Sequence, residues 1–119
     1  QYRKGIYFIW NDPWVAVGKE TYINSVMELL RVENPFKELK EIYPSVTPAN
    51  IKLAHTDIVI LPIDETYAFS EEDAIGIAGN THDASLFFVD GKMFSRYGSR
   101  LIKAIDYFKL LAIKFKEMA

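Results

Sequence analysis

The chain contains no cysteine. Disulfides, cysteine-rich zinc centres and thiol nucleophiles are therefore excluded, although the compartment is not, because exported chains can also lack cysteine. Histidine is scarce: there are two, His55 and His82, and neither has a partner at metal-ligand spacing. Both precede expected strands, so both are expected in loops at the amino-terminal edge of a sheet, and no metal site is implied. No apolar run approaches the ~20 residues of a membrane span, and no secretory leader is visible. Gln1-Tyr2-Arg3-Lys4 does not read as a natural start, so the chain is expected to be a fragment whose upstream signals lie elsewhere. Lys and Arg are scattered and the net charge is −2, which leaves no nucleic-acid footprint.

The motifs of phosphate and acyl chemistry are missing too. Gly18-Lys19 invites comparison with a phosphate loop, but Pro13 stands where the first glycine is needed and Glu20 where Ser or Thr is needed. Glu20 would also repel an anion at a helix start. No Gly-x-Ser-x-Gly elbow occurs. Asp64-Glu65 and Glu71-Glu72-Asp73 are conceivable acid–base pairs. A solvated loop and an acidic helix start account for them better, because the helix dipole favours acids there. Nothing demands catalysis, and no resident cofactor is implied.

What the chain has is alternation. At 119 residues, half apolar and a quarter charged, it reads as one α/β domain over residues 1–119. Gly5–Trp10, Asp57–Leu61 and Ser85–Val89 are short, nearly continuous apolar runs rich in β-branched and aromatic residues, as expected of strands covered on both faces. Tyr22, Ile23, Val26, Met27 and Leu30 fall at helical spacing and predict a helix over roughly residues 19–31, stopped by Asn34-Pro35. Residues 37–41 suggest one helical turn and 42–46 an extended segment. Thr47-Pro48 starts a short helix through Ile51, Leu53 and Ala54, Pro62 is expected to end the second strand, and Ser70 caps another helix. A last helix is expected from about Ser99 to Lys116. The order predicts a three-layer α/β/α domain with a mostly parallel sheet.

The aromatic residues carry the functional signal. Ligands of α/β sheets bind beyond the carboxyl ends of the strands. Trp10 and Trp14 follow the first strand, Tyr67 and Phe69 the second, and Phe94 and Tyr97 the third. For any single ring, core packing competes with ligand contact, since each buried ring contributes roughly 2–3 kcal/mol. Taken together, they predict a flat apolar rim suited to a broad planar or macrocyclic ligand. Trp10 is expected to pack at the strand end and Trp14 to reach the crevice. Arg96 is placed to pair with a ligand carboxylate or phosphate, or with a local acid.

At these residues the chain resembles the C-terminal lobe of the periplasmic substrate-binding proteins of ABC importers for cobalamin, haem and iron-siderophores, the helical-backbone metal receptors. The resemblance rests on Trp10-x-x-Pro13-Trp14 with Gly18-Lys19 and Tyr22-Ile23, on Asn34-Pro35-Phe36, and on Tyr43-Pro44-x-Val46-Thr47. It continues through Asp57–Leu61 followed by Asp64-Glu65-x-Tyr67-x-Phe69, and through Asp90-Gly91-x-Met93-Phe94-Ser95-x-Tyr97-Gly98-Ser99-Arg100-Leu101. These pieces are collinear over nearly the whole chain. The resemblance implies a bilobal protein holding a metal chelate or corrinoid between its lobes, with this chain as the second lobe and an N-terminal lobe and connecting helix outside it. It implies ligand contact by Trp14, Tyr43 and the segment Phe94–Tyr97, with Tyr67 and Phe69 as further candidates. It also implies a periplasmic or lipoprotein location and an ABC permease as partner. Where relatives often carry a permease-docking glutamate, this chain has Pro48-Ala49-Asn50, with Glu41 nearby. A chelatase-like enzyme and a sensory or interaction module remain as alternative uses of the same fold.

Overall fold

The first strand, β1 (Arg3–Trp10), buries four successive residues, Gly5 to Phe8, as only a strand covered on both faces can. The computed structural model describes residues 2–19, 21–63, 67–81 and 83–91, with 109, 110, 113 and 114. After β1 come β2 (Val15–Ala16), α1 (Thr21–Leu29), β3 (Val32–Glu33), α2 (Pro48–Leu53), β4 (Ile58–Ile63), α3 (Glu71–Ala78) and β5 (Ser85–Asp90). β1, β4 and β5 lie side by side and parallel. β2 runs antiparallel to β1 and β3 parallel to it. The sheet is thus mixed and mostly parallel, as the alternation predicted.

Side-chain alternation along the strands builds two cores. Tyr7, Ile58, Ile60 and Val89 face α1, which contributes Val26 and Met27, with Leu30 just past its end, and lays Tyr22 and Ile23 against them. Ile6, Phe8, Val59 and Leu61 face the other way, onto Ile51 of α2 and Ile77 of α3. The five residues at helical spacing in and just past α1 therefore share one cluster. Leu53 is 73% exposed, and α2 anchors through Ile51, with Ala54 at its C-cap packed on the same cluster.

Other boundaries differ for physical reasons. β4 continues through Pro62, which pairs with Val89 beyond Ile60, the last β4 residue in register with β1. A proline is tolerated there because the ladder has lost one neighbour. Residues 35–40 form successive turns and bends rather than a helical turn. Residues 42–46, expected to be extended, bend at 42 and 43 and with Glu41 run beside 14–19: Ala16 N–H donates to Pro44 O, Gly18 N–H to Ile42 O, Lys19 N–H to Glu41 O and Val46 N–H to Trp14 O.

Two features hold that edge. An added Cβ on Gly18 would lie 2.6 Å from Glu41 O and 2.8 Å from Pro44 Cδ, so only glycine lets the 41–46 segment approach so closely. Asn34 is 3% exposed, directly after β3. Its Nδ2 donates to Val17 O (2.8 Å) and Asn24 Oδ1 (2.9 Å), and its Oδ1 accepts from Phe36 N–H (2.9 Å). Asn24 in turn donates to Gly18 O at 2.7 Å. Residues first noticed as a failed phosphate loop and a helix stop are joints of the scaffold. Of the expected last helix, 109, 110, 113 and 114 are helical and exposed; its remainder, with Phe94, Arg96 and Tyr97, lies outside the described residues.

Candidate functional site

The carboxyl ends of β1 and β4 deliver the site. β1 ends at Trp10, and the turn at 11–14 reverses the chain into β2, carrying Trp14. β4 ends at Ile63, which bridges antiparallel to Ala68, so the chain doubles back and sets Tyr67 and Phe69 beside the strand end. The rings form one continuous series. Trp10 and Tyr67 lie 4.6 Å apart between centroids, Tyr67 and Phe69 meet edge-on at 4.7 Å, Phe69 and Trp14 are parallel at 6.2 Å, and Trp14 leans on Phe8 at 5.0 Å. These separations suit the ring quadrupoles.

The series runs from the surface inward: Trp10, expected to pack at the strand end, is the more open ring, and Trp14, expected to reach the crevice, is partly buried. Trp10 is the open end, 42% exposed. Trp14 packs on the inner cluster between Phe8 and Phe69. The reason is the period of the strand. Trp10 lies two residues beyond Phe8, on the same face but past the end of the core, whereas the turn folds Trp14 back onto the inner cluster, where a Cβ added to Gly76 of α3 would meet its ring at 3.9 Å. Phe69 is 3% exposed, so in this lobe it supports the rim from behind and has no surface to give a ligand. Tyr67 is half-buried, and Tyr43, on the ribbon beside β2, is half exposed.

A carboxylate that sequence reading treated only as a helix-dipole acid organises this rim. Ser70 and Asp73 form a reciprocal capping box on α3: Asp73 N–H donates to Ser70 Oγ (3.2 Å), and Ser70 N–H donates to Asp73 Oδ2 (2.9 Å). The other oxygen, Oδ1, accepts from Asn11 Nδ2 at 2.7 Å. The Tyr67 phenol and this carboxylate lie near enough to perturb each other's titration. Burial alone would raise the Asp73 pKa. The bonds from Ser70, Asn11 and Tyr67 outweigh it and hold the carboxyl below its usual value. Burial first, and then the Asp73 charge, raise the Tyr67 phenol. The sequence signal was present as Ser70-x-x-Asp73, a capping-box pattern; nothing marked Asn11.

His55 is exposed in the turn before β4, at the amino edge as expected. Glu20, Asp64, Glu65, His82, Phe94, Arg96 and Tyr97 lie outside the described residues. Among the described residues, no group of three or more His, Cys, Asp or Glu side chains is placed to hold a metal ion, and no helix is long and apolar enough to cross a membrane.

No family profile matches the chain, and no curated protein matches it. Solved structures do. A periplasmic haem-binding protein of Vibrio cholerae superposes with a TM-score of 0.72 and 13% identity, over 97% of this chain and 48% of its own. A periplasmic vitamin B12 binding protein of the same organism gives 0.73 and 13%, over 100% of this chain and 47% of its own. A possible iron-binding periplasmic solute-binding protein from Staphylococcus epidermidis gives 0.68 and 22%, over 97% and 45%. The chain has the fold of one half of these binding proteins and spans about half their length.

Proposed function

We propose that this chain is one lobe of an exported solute-binding protein that delivers a metal chelate or corrinoid to an ABC permease, capturing it against a second lobe and doing no chemistry on it. The observation that supports this most is the graded ring series at the carboxyl edge, on a fold whose solved neighbours include haem- and vitamin B12-binding proteins. Rings anchored in the core offer an apolar surface without the entropy cost of ordering it on binding. In this reading Trp10 and Tyr67 meet the ligand directly. Trp14 and Phe69 hold them in place, Tyr43 flanks the crevice from the ribbon beside β2, and Phe94, Arg96 and Tyr97 complete the rim.

The experiment is a titration of the intact gene product with haemin, cyanocobalamin and ferric siderophores, followed by absorbance and calorimetry. The expected result is saturable binding of one class at 1:1 stoichiometry, much weaker when residues 1–119 are presented alone. Absence of binding to all of them by the intact protein would end the transport reading.

A further inference from the structure

The ribbon that carries Tyr43 is held through two consecutive peptide units, and a side-chain amide grips each of them. In the first unit, Val17–Gly18, the carbonyl accepts from Asn34 Nδ2 at 2.8 Å while the N–H donates to Ile42 O at 2.8 Å. In the second, Gly18–Lys19, the carbonyl accepts from Asn24 Nδ2 at 2.7 Å while the N–H donates to Glu41 O at 2.9 Å. The two amides are joined, Asn34 Nδ2 donating to Asn24 Oδ1 at 2.9 Å, and Asn34 Oδ1 accepts from Phe36 N–H. On the other side of Tyr43, Pro44 O accepts from Ala16 N–H at 3.0 Å. We infer that Asn24 and Asn34 are positioning residues that fix the planes of these two peptides, so that their N–H groups hold the ribbon and present Tyr43 to the ligand in one place. The inference rests on the binding reading above for the role of Tyr43, and it adds the device that sets where Tyr43 stands.

Both peptides are trans. In a planar trans peptide the carbonyl and the N–H point opposite ways, so fixing one aims the other. A donor at the carbonyl also strengthens the N–H as a donor, because hydrogen bonds in a chain polarise one another. Gly18 lies between the two units because the close approach of Glu41 and Pro44 leaves no room for a Cβ. Glycine is also the residue with the most backbone freedom to lose. The two amides supply the restraint that residue 18 cannot. Asn34 is buried and its donors and acceptor are all engaged within this network. It therefore acts on Tyr43 through backbone, whereas Tyr43, half exposed, has surface to give a ligand.

The test is hydrogen exchange, resolved to single amides, on the intact gene product. Asn24→Ala is expected to speed exchange at Gly18 and Lys19 by about threefold to tenfold, as for the loss of one intramolecular hydrogen bond, with β4 unchanged. Alanine is the stronger helix former within α1, so faster exchange there would not be helix loss. Asn24→Asp keeps the acceptor for Asn34 and loses the donor to Gly18 O, and is expected to act as Asn24→Ala does. Asn34→Ala is expected to act more strongly; if it does not fold, the two Asn24 variants decide. Ile77→Val, which thins the opposite core, is the control for lowered stability and is expected to leave Gly18 and Lys19 unchanged. Exchange at these amides unmoved by both Asn24 variants, or moved equally by Ile77→Val, overturns the inference. A second arm titrates cyanocobalamin and haemin in a double-mutant cycle of Asn24→Ala with Tyr43→Ala. Each single variant is expected to weaken binding by about threefold or more, and the double variant to bind no worse than Tyr43→Ala alone. Losses that multiply would overturn the link from Asn24 to Tyr43. Binding of neither ligand would overturn the transport reading and the role of Tyr43 with it, while the exchange comparison would still decide whether the amides hold the ribbon.

Discussion

The two edges of one sheet are built differently. At the amino edge, each return from a helix to the next strand passes through a residue with left-handed backbone: Arg31 (φ 58°), His55 (φ 49°) and Asp83 (φ 56°). The strand starts are then tied by backbone, with Asp57 N–H donating to Lys4 O at 2.8 Å and Ser85 N–H to Asp57 O at 2.9 Å. An open depression of about 450 Å³ lies there, lined by Lys4, Glu33, Phe36 and Leu53 among others. At the carboxyl edge the loops carry rings, and one carboxylate ties the turn after β1 to the start of α3. The amino edge spends its residues on turning the chain; the carboxyl edge spends them on a preformed surface. This difference is what supports placing recognition at the second edge in the function proposed above.

Substitutions that break this contrast are ranked by how deep in the ring series they fall. Trp14→Ala should cost about 3 kcal/mol in chemical denaturation, as for large core truncations, whereas Trp10→Ala should cost about 1 kcal/mol or less. Equal losses would merge the two rings into one cluster and remove the distinction between surface and core. Gly18→Ala should cost about 1–3 kcal/mol, because the new methyl meets a backbone carbonyl that cannot step aside without moving the 41–46 ribbon. It should also displace Tyr43, which amide hydrogen exchange along that ribbon would show.

The Asp73 hub gives a pH signature of defined sign. Its folded pKa is depressed, so the stability it adds is fully present above its unfolded value near 3.9. That contribution fades as pH falls through the lower folded value. Thermal melts across the acid range should therefore show a gap between wild type and Asp73→Ala of about 1–2 kcal/mol at neutral pH, set mainly by the lost cap. The gap should narrow in strong acid; a constant gap would mean that the charge is not what the hub uses. The smallest effect belongs to the amino edge. His55→Gly should gain about 0.5–1 kcal/mol by relieving a left-handed histidine and should leave ligand affinity unchanged.

Much of this architecture was legible in the sequence because its signals are local or periodic. The five-residue stripe of α1, the Thr47 and Ser70 caps and the three apolar runs each declare themselves within one element. What escaped was set by long-range geometry. β2 and β3 are two residues each and too short to show a period. The burial of Trp14 and exposure of Trp10 depend on where the turn folds, not on residue type. Asn34 reads as a helix stop until Val17 and Asn24 are seen beside it. Asn11 meets Asp73 across 62 positions of chain, a pairing that no window on the sequence contains.

The most direct measurement compares the two edges by affinity. Haemin and cyanocobalamin are titrated against the intact gene product carrying Trp10→Ala, and against the same protein carrying Lys4→Ala with Leu53→Ala. A loss of about tenfold or more at the first site, on the scale of a truncated aromatic anchor, with affinity unchanged at the second, is the predicted result. Undiminished affinity in Trp10→Ala, or a loss confined to the Lys4 and Leu53 variant, would contradict it.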